Sequence, residues 1–184
     1  MDKSAIRKRY RQERALMNPK SIELNNWQHI LQTPEFESAK FVASYNSYGD
    51  EPATDGLNRE ILKTGKILLL PRVREDLDLD WIKWDGKSEG LNKKGNFYEP
   101  IGEVIDGDLI DFVIIPCLHV NREGFRLGQG GGSYDRALKN LAAWKVALVY
   151  AGELSSEEIP TESHDQRVNA VATPELLVRF TAQS

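Results

Sequence analysis

Cysteine is nearly absent from this chain: Cys117 stands alone among 184 residues. An intrachain disulfide is therefore excluded, and with it every small fold stapled by such bonds. Histidine is scarce as well. Three scattered histidines and no Cys-x-x-Cys pair leave little to build a zinc site from. No apolar run reaches the roughly 18 residues of a membrane span, and no signal-type apolar stretch opens the chain. A cytoplasmic protein that avoids the membrane is expected. Neither sign of charge dominates, since the net charge is -4, so no whole-molecule field draws nucleic acid or anionic lipid. There is no internal repeat, low-complexity tract or linker. What remains is ordinary for a globular chain, with 40% hydrophobic and 28% charged residues. The length suits one domain with a real core, or one domain plus a small lobe. A single domain over 1–184, acting as a monomer, is the expectation.

The apolar pattern predicts alternating helices and strands. Residues 2–17 read as a helix with Ala5, Ile6, Tyr10, Ala15 and Leu16 loosely periodic and six Lys and Arg around them. Asn18-Pro19 ends it. A second helix is expected from Ser21 to Gln32, with Ile22, Trp27, Ile30 and Leu31 inward. Strands are expected at 41–45, 66–73, 77–84, 111–116, 144–151 and 168–173. Helices are expected at 55–65, closed by Gly65, and at 134–142. Residues 85–108 read as loop-rich. Short continuous apolar strands alternating with helices predict an α/β fold. Its sheet should be open, largely parallel and covered by helices on both faces, a Rossmann-like three-layer sandwich.

Glycine is concentrated where it costs most. Arg126 to Arg136 reads RLGQGGGSYDR, with four glycines in five positions, Gly128 and Gly130 to Gly132. The run follows the strand at 111–116 and leads into a helix, and ligands sit beyond the carboxyl ends of such strands. Bare backbone lets N–H groups converge on an anion, and the helix start adds positive potential. Arg126 and Arg136 could add charge-assisted contacts, and Asp135 could cap the helix or hold a divalent cation beside phosphates. Neither GxxxxGK[ST] nor GxGxxG is present. A flexible loop with no ligand remains the plain alternative. Lys3 and Arg7, spaced i and i+4, share one helix face that could reach phosphates or simply be solvated. With Lys8, Arg9, Arg11 and Arg14 that helix also suits an RNA-binding arm. Glu51 could accept hydrogen bonds from an amino-pyrimidine edge, or serve as a helix-start carboxylate near Thr54. His164 with Asp165 gives too few ligands for a transition metal. Cys117 has no activating partner and reads as a buried strand-end residue. Trp81 and Trp84 read as sheet packing.

The stretch HVNREGFRLGQGGGSYDRAL resembles the signature of the 5-formyltetrahydrofolate cyclo-ligase (5,10-methenyltetrahydrofolate synthetase) family. Pro116, Gly124, Arg126-Leu127-Gly128, Gly130, Gly132 and Tyr134-Asp135-Arg136 all fit it. Lys3 and Arg7, SYGDEPAT at 47–54, LLPRV at 69–73, NFYEP at 96–100 and IPTESHDQRVNAV at 159–171 follow in the family's order. Ser133 and Asn169 depart from it, standing where tyrosine and aspartate are common. Ser133 removes an aromatic wall from the loop.

The resemblance implies an ATP- and magnesium-dependent ligase that converts 5-formyltetrahydrofolate to 5,10-methenyltetrahydrofolate, releasing ADP and phosphate. Phosphoryl transfer onto the formyl oxygen would create a leaving group, and the neighbouring nitrogen would close the ring. Such chemistry needs positioning and charge neutralisation, not a protein nucleophile. By resemblance, Lys3, Arg7 and the loop from Arg126 through Leu127, Gly128, Gln129, Gly130, Gly131, Gly132 and Ser133 to Tyr134 bind ATP. Arg126 and Arg136 attend the transferred phosphate. Asn46, Glu51, Phe97 and Gln129 to Ser133 line the folate site, with Phe97 stacking on the pterin. Asp135 and Asp165 hold magnesium. A kinase or ligase of another substrate would use the same phosphate apparatus, and a non-enzymatic RNA-binding protein is the remaining alternative.

Overall fold

The computed structural model describes residues 2–17 and 26–181. In chain order the elements are α1 (Lys3–Leu16), α2 (Pro34–Ser38), β1 (Phe41–Ala43), α3 (Asp55–Lys63), β2 (Ile67–Val73), β3 (Leu79–Lys83), β4 (Leu91–Lys94), β5 (Phe97–Pro100), β6 (Val104–Ile105), β7 (Phe112–Pro116), β8 (His119–Asn121), β9 (Arg126–Leu127), α4 (Ser133–Lys139), β10 (Trp144–Leu148), β11 (Leu154–Ser155), β12 (Ala170–Ala172) and β13 (Leu177–Arg179).

Eight strands form the main sheet in the order β13-β12-β10-β7-β1-β2-β3-β6. Its centre, from β12 to β2, is parallel. Its flanks are antiparallel: β13 returns on β12, β3 on β2, and β6 on β3. The turn from Arg74 to Asp78 is too short for a parallel crossover, so β3 must run back along β2. Alternation along β7 sorts the core into two layers. Phe112 and Ile114 join Phe36 of α2 with Leu57 and Ile61 of α3. Val113 and Ile115 join Leu138 of α4 on the other face. The expected α/β sheet with helices on both faces is present. α1 covers neither face of it. Ile6 and Tyr10 pack instead with Leu118, Leu127 and Ile159, over the small sheet β11-β8-β9. No helix among the described residues is long and apolar enough to cross a membrane.

Two local expectations are corrected. The helix expected from Ser21 to Gln32 lies partly outside the described residues, and its visible end, Gln28–Gln32, is a 3-10 turn. Pro34 is the reason. It holds Thr33 extended at ψ 141°, which stops the turn, and α2 restarts with the Thr33 hydroxyl as its N-cap. Residues 85–108 are also more ordered than a loop, containing the β4–β5 hairpin and β6. The β4 side chains are mostly exposed, so no apolar alternation marked it.

Candidate active site

From β1 the chain winds through α3 to β2, on one side. From β7 it winds through α4 to β10, on the other. Strand order therefore reverses between β1 and β7, and crevices at such points hold ligands. The loop after β1 and the glycine loop beyond β7 border a cavity of about 480 Å³ there. Lys3, Arg7, Asn46, Glu51, Phe97, every residue from Arg126 to Asp135, and Asp165 all border it. Arg136 does not.

The glycine loop has a definite polarity. Arg7 Nε donates to Gly128 O at 2.9 Å, Arg11 Nη2 to Gln129 O at 2.7 Å, and Arg136 Nη2 to Gly131 O at 2.8 Å. Among the described residues, no backbone N–H from Gly128 to Asp135 donates to a protein acceptor. Carbonyls are tied to arginines while amides stay free, the state an anion site requires. Gly130 and Gly132 reach it with φ +112° and +68°, values that suit glycine. α1 supplies its cations to this loop and cavity from one face, at positions 3, 7 and 11.

Asp135 and Asp165 border the cavity together with the more exposed Glu162. Asp165 accepts from Lys3 Nζ at 2.9 and 2.7 Å and from Glu162 N at 2.7 Å. Against its partial burial, which pushes its pKa up, the Lys3 ammonium and the Glu162 amide hold the Asp165 carboxyl below its ordinary value. Asp135 accepts from Arg126 Nη1 at 2.8 Å and from Gln166 N at 3.2 Å. Arg126 is buried, and its Nε has no partner among the described residues. No three His, Cys, Asp or Glu side chains converge among those residues. Magnesium needs only one or two carboxylates when phosphate oxygens and water complete its shell. The hard oxygens of Asp135 and Asp165 on one cavity fit that ion, and no nitrogen or sulfur donor set competes.

Glu51 is buried at the other end of the cavity. It accepts from Tyr48 N at 3.2 Å, and burial pushes its pKa up to about 7. Desolvation also drives the neighbouring phenols of Tyr45 and Tyr134 upward, with the Glu51 charge adding to it. The Tyr134 hydroxyl is buried with no partner among the described residues. Phe97 lies 5.6 Å from the Tyr48 ring at 39°, and Asn46 Nδ2 reaches Tyr98 O at 3.5 Å. Glu99 also borders the cavity, but it is engaged by Val73 N and Lys94. Aromatic walls with a buried acid that has no cation in contact among the described residues suit a planar heterocycle with N–H donors. From the sequence Arg11 reads only as one charge of a basic helix suited to RNA, and Tyr48 only as part of the SYGDEPAT stretch, with no role for either at this site. Arg11 follows Arg7 by one further helical turn, a signal that was there; for Tyr48 the only signal was its place in that stretch. Cys117 is buried with its thiol pushed up to about 12, so it is no nucleophile.

The fold and site define an α/β protein with a glycine loop of unbonded amides at a switch-point crevice. The family model for the 5-formyltetrahydrofolate cyclo-ligase family matches residues 1–174, and the chain belongs to that family. It is 35% identical over 149 residues to the 5-formyltetrahydrofolate cyclo-ligase of Mycolicibacterium smegmatis, covering 74% of this chain and 75% of that one. It is 29% identical over 174 residues to the Escherichia coli K12 cyclo-ligase, covering 89% and 96%. An Aquifex aeolicus 5,10-methenyltetrahydrofolate synthetase solved by NMR superimposes with TM-score 0.84 at 28% identity, over 100% of this chain and 95% of that one.

Proposed function

We infer that this chain converts 5-formyltetrahydrofolate to 5,10-methenyltetrahydrofolate at the expense of ATP, releasing ADP and phosphate. The observation that carries the reading is the row of free amides from Gly128 to Asp135, facing a cavity whose far end holds a buried acid beside aromatic rings. The loop amides, with Lys3, Arg7 and Arg126, would bind and neutralise the polyphosphate. Glu51 in its ionised form would accept from the pterin N–H groups, and Phe97 with Tyr48 would cover the rings. Asn46 and Gln129 to Ser133 would complete the folate wall. Asp135 and Asp165 would hold magnesium, which supplies charge neutralisation to the transferring phosphoryl group. The protein's share is then alignment of a phosphate with a formamide oxygen and exclusion of water.

The test is an absorbance assay for methenyltetrahydrofolate with ATP and magnesium, with and without 5-formyltetrahydrofolate. Product should form only when all three are present. ATP hydrolysis stimulated by a different acceptor, with no methenyl product, would overturn the folate reading and keep the phosphate site.

A further inference from the structure

Of the four cations that the resemblance assigns to the site, Lys3, Arg7, Arg126 and Arg136, only Arg136 does not border the cavity. It stands on α4 behind the glycine loop. Its Nη2 donates to Gly131 O at 2.8 Å and to Leu77 O at 2.9 Å. Leu77 belongs to the turn between β2 and β3, 59 residues away in sequence. It holds φ +64°, and among the described residues it is the only non-glycine with a positive φ. Its side chain is about half exposed, so packing does not hold it there. Backbone strain of this kind persists where surrounding contacts over-determine it. The hairpin carrying Leu77 supplies Pro71, Val73 and Leu79 to the cavity wall. One guanidinium nitrogen therefore joins the loop to that wall.

We propose that Arg136 is a positioning residue, a strut that fixes the glycine loop relative to the β2–β3 hairpin. The loop is the proposed phosphate wall and the hairpin part of the proposed folate wall. The strut sets their spacing without touching either ligand. For its catalytic consequence the proposal rests on the cyclo-ligase reading; its geometry does not. Misplacing reacting groups by about an ångström costs on the order of a hundredfold in rate, whereas each ligand alone would still find its own wall. Loss of the strut should therefore appear in kcat.

The experiment measures kinetics with both substrates, amide hydrogen exchange without ligands, and thermal melting for Arg136→Ala and Arg136→Lys. Lysine keeps the charge but ends one bond short of the Nη2 position. In both variants kcat should fall at least tenfold, while KM for ATP and for the folate each stay within about threefold. In Arg136→Ala, exchange should rise at the turn amides of Arg74 and Leu77, which donate to Asp78 O and Arg74 O, while the rest of the sheet stays protected. A tenfold rise in KM for ATP with kcat retained, or recovery of most activity by lysine, would make Arg136 a phosphate ligand and overturn the strut. Unchanged exchange at the hairpin would overturn it too, whatever reaction the wild type performs. If Arg136→Ala fails to fold, the lysine variant supplies the same readouts. Failure of the wild type to form methenyltetrahydrofolate would sink the cyclo-ligase reading and leave the exchange result to decide the strut.

Discussion

Glu153 and Glu51 are the same residue type, buried to nearly the same degree, 3% and 8% exposed. Their surroundings differ in one respect. Glu153 receives a bidentate guanidinium, with Arg14 Nε at 2.5 Å and Nη2 at 2.7 Å, and also Tyr150 N at 2.8 Å. Arg14 spends its remaining reach on Cys117 O. Glu51 has the Tyr48 amide and, among the described residues, no cation in contact. A buried charge without a counter-ion is costly, so a fold retains one only where something else completes it. The first acid locks α1 onto the body of the protein. The second borders the cavity and would be completed there by the proposed substrate.

Removing the counter-ion from Glu153 should make it resemble Glu51, at the largest cost. Arg14→Ala leaves an uncompensated carboxylate, and breaking such a pair costs about 3–5 kcal/mol. Denaturant unfolding at neutral pH should show that loss, with activity falling as α1 detaches. The deficit should grow as pH rises from about 4, because the orphaned acid must then ionise inside the protein. A loss below about 1 kcal/mol, constant with pH, would mean that the pair contributes nothing to holding α1.

Glu51→Gln sharpens the contrast from the other side. At low pH the acid is neutral in both the folded and the unfolded chain and costs nothing. Between its ordinary value of 4.5 and about 7 the unfolded chain ionises while the folded one stays protonated. Wild-type stability should therefore fall as pH rises through that window, by up to about 3 kcal/mol. Glutamine should recover that amount at pH 8 and nothing at pH 4, while KM for the folate rises at least tenfold. A variant no more stable than wild type at pH 8 would show that Glu51 sits in an environment already compensated.

These two acids also mark how far the sequence could be read. Glu51 was found because its motif is local and lies beside a strand end. The Arg14–Glu153 pair joins positions 139 residues apart, and nothing in a single sequence links them. Arg14 read as one more charge on a basic helix. Strands β1, β2, β3, β7, β10 and β12 were visible because continuous or alternating apolar runs are what a covered sheet demands. β4 and β9 were not, since two to four residues on a rim carry no period. The place of the glycine loop, past the end of β7 and opening a helix, was legible from spacing, which left an anion site and a plain flexible loop both open. The loop's arginine scaffold was not legible, because a sequence does not say which way carbonyls turn.

The charges at the opposite end of α1 should matter for the nucleotide and little for the fold. Lys3 and Arg7 are already bonded to Asp165 and Gly128 O, so moving them onto phosphate exchanges one set of contacts for another. The double change to Ala should raise KM for ATP about tenfold, or roughly 1.4 kcal/mol. KM for the folate should stay nearly constant, and unfolding should shift much less than in Arg14→Ala. Steady-state kinetics with each substrate varied in turn decide it. An unchanged ATP dependence would make the pair a solvated face with a structural tether.

The smallest effect is expected inside the glycine loop, and there the comparison is between neighbours. Gly131 has no positive φ, and a Cβ on it would meet only Ser133 Oγ at 3.7 Å, an ordinary contact. Gly131→Ala should therefore stay within about 0.5 kcal/mol of wild-type stability and within about threefold in affinity for an ATP analogue. Gly130 and Gly132 differ. A side chain at φ +112° or +68° is strained, and at Gly132 the Cβ would lie 3.0 Å from Arg136 Nη1, pressing on a guanidinium that holds the loop. Alanine at either should weaken binding of the analogue at least tenfold. Melting temperatures should move little, because the loop lies outside both core layers. Calorimetric titration of the three variants beside thermal melts separates the two readings of this stretch. A loop that serves only as a connection would tolerate alanine alike at all three, and three near-wild-type affinities would mean that its free amides face no ligand.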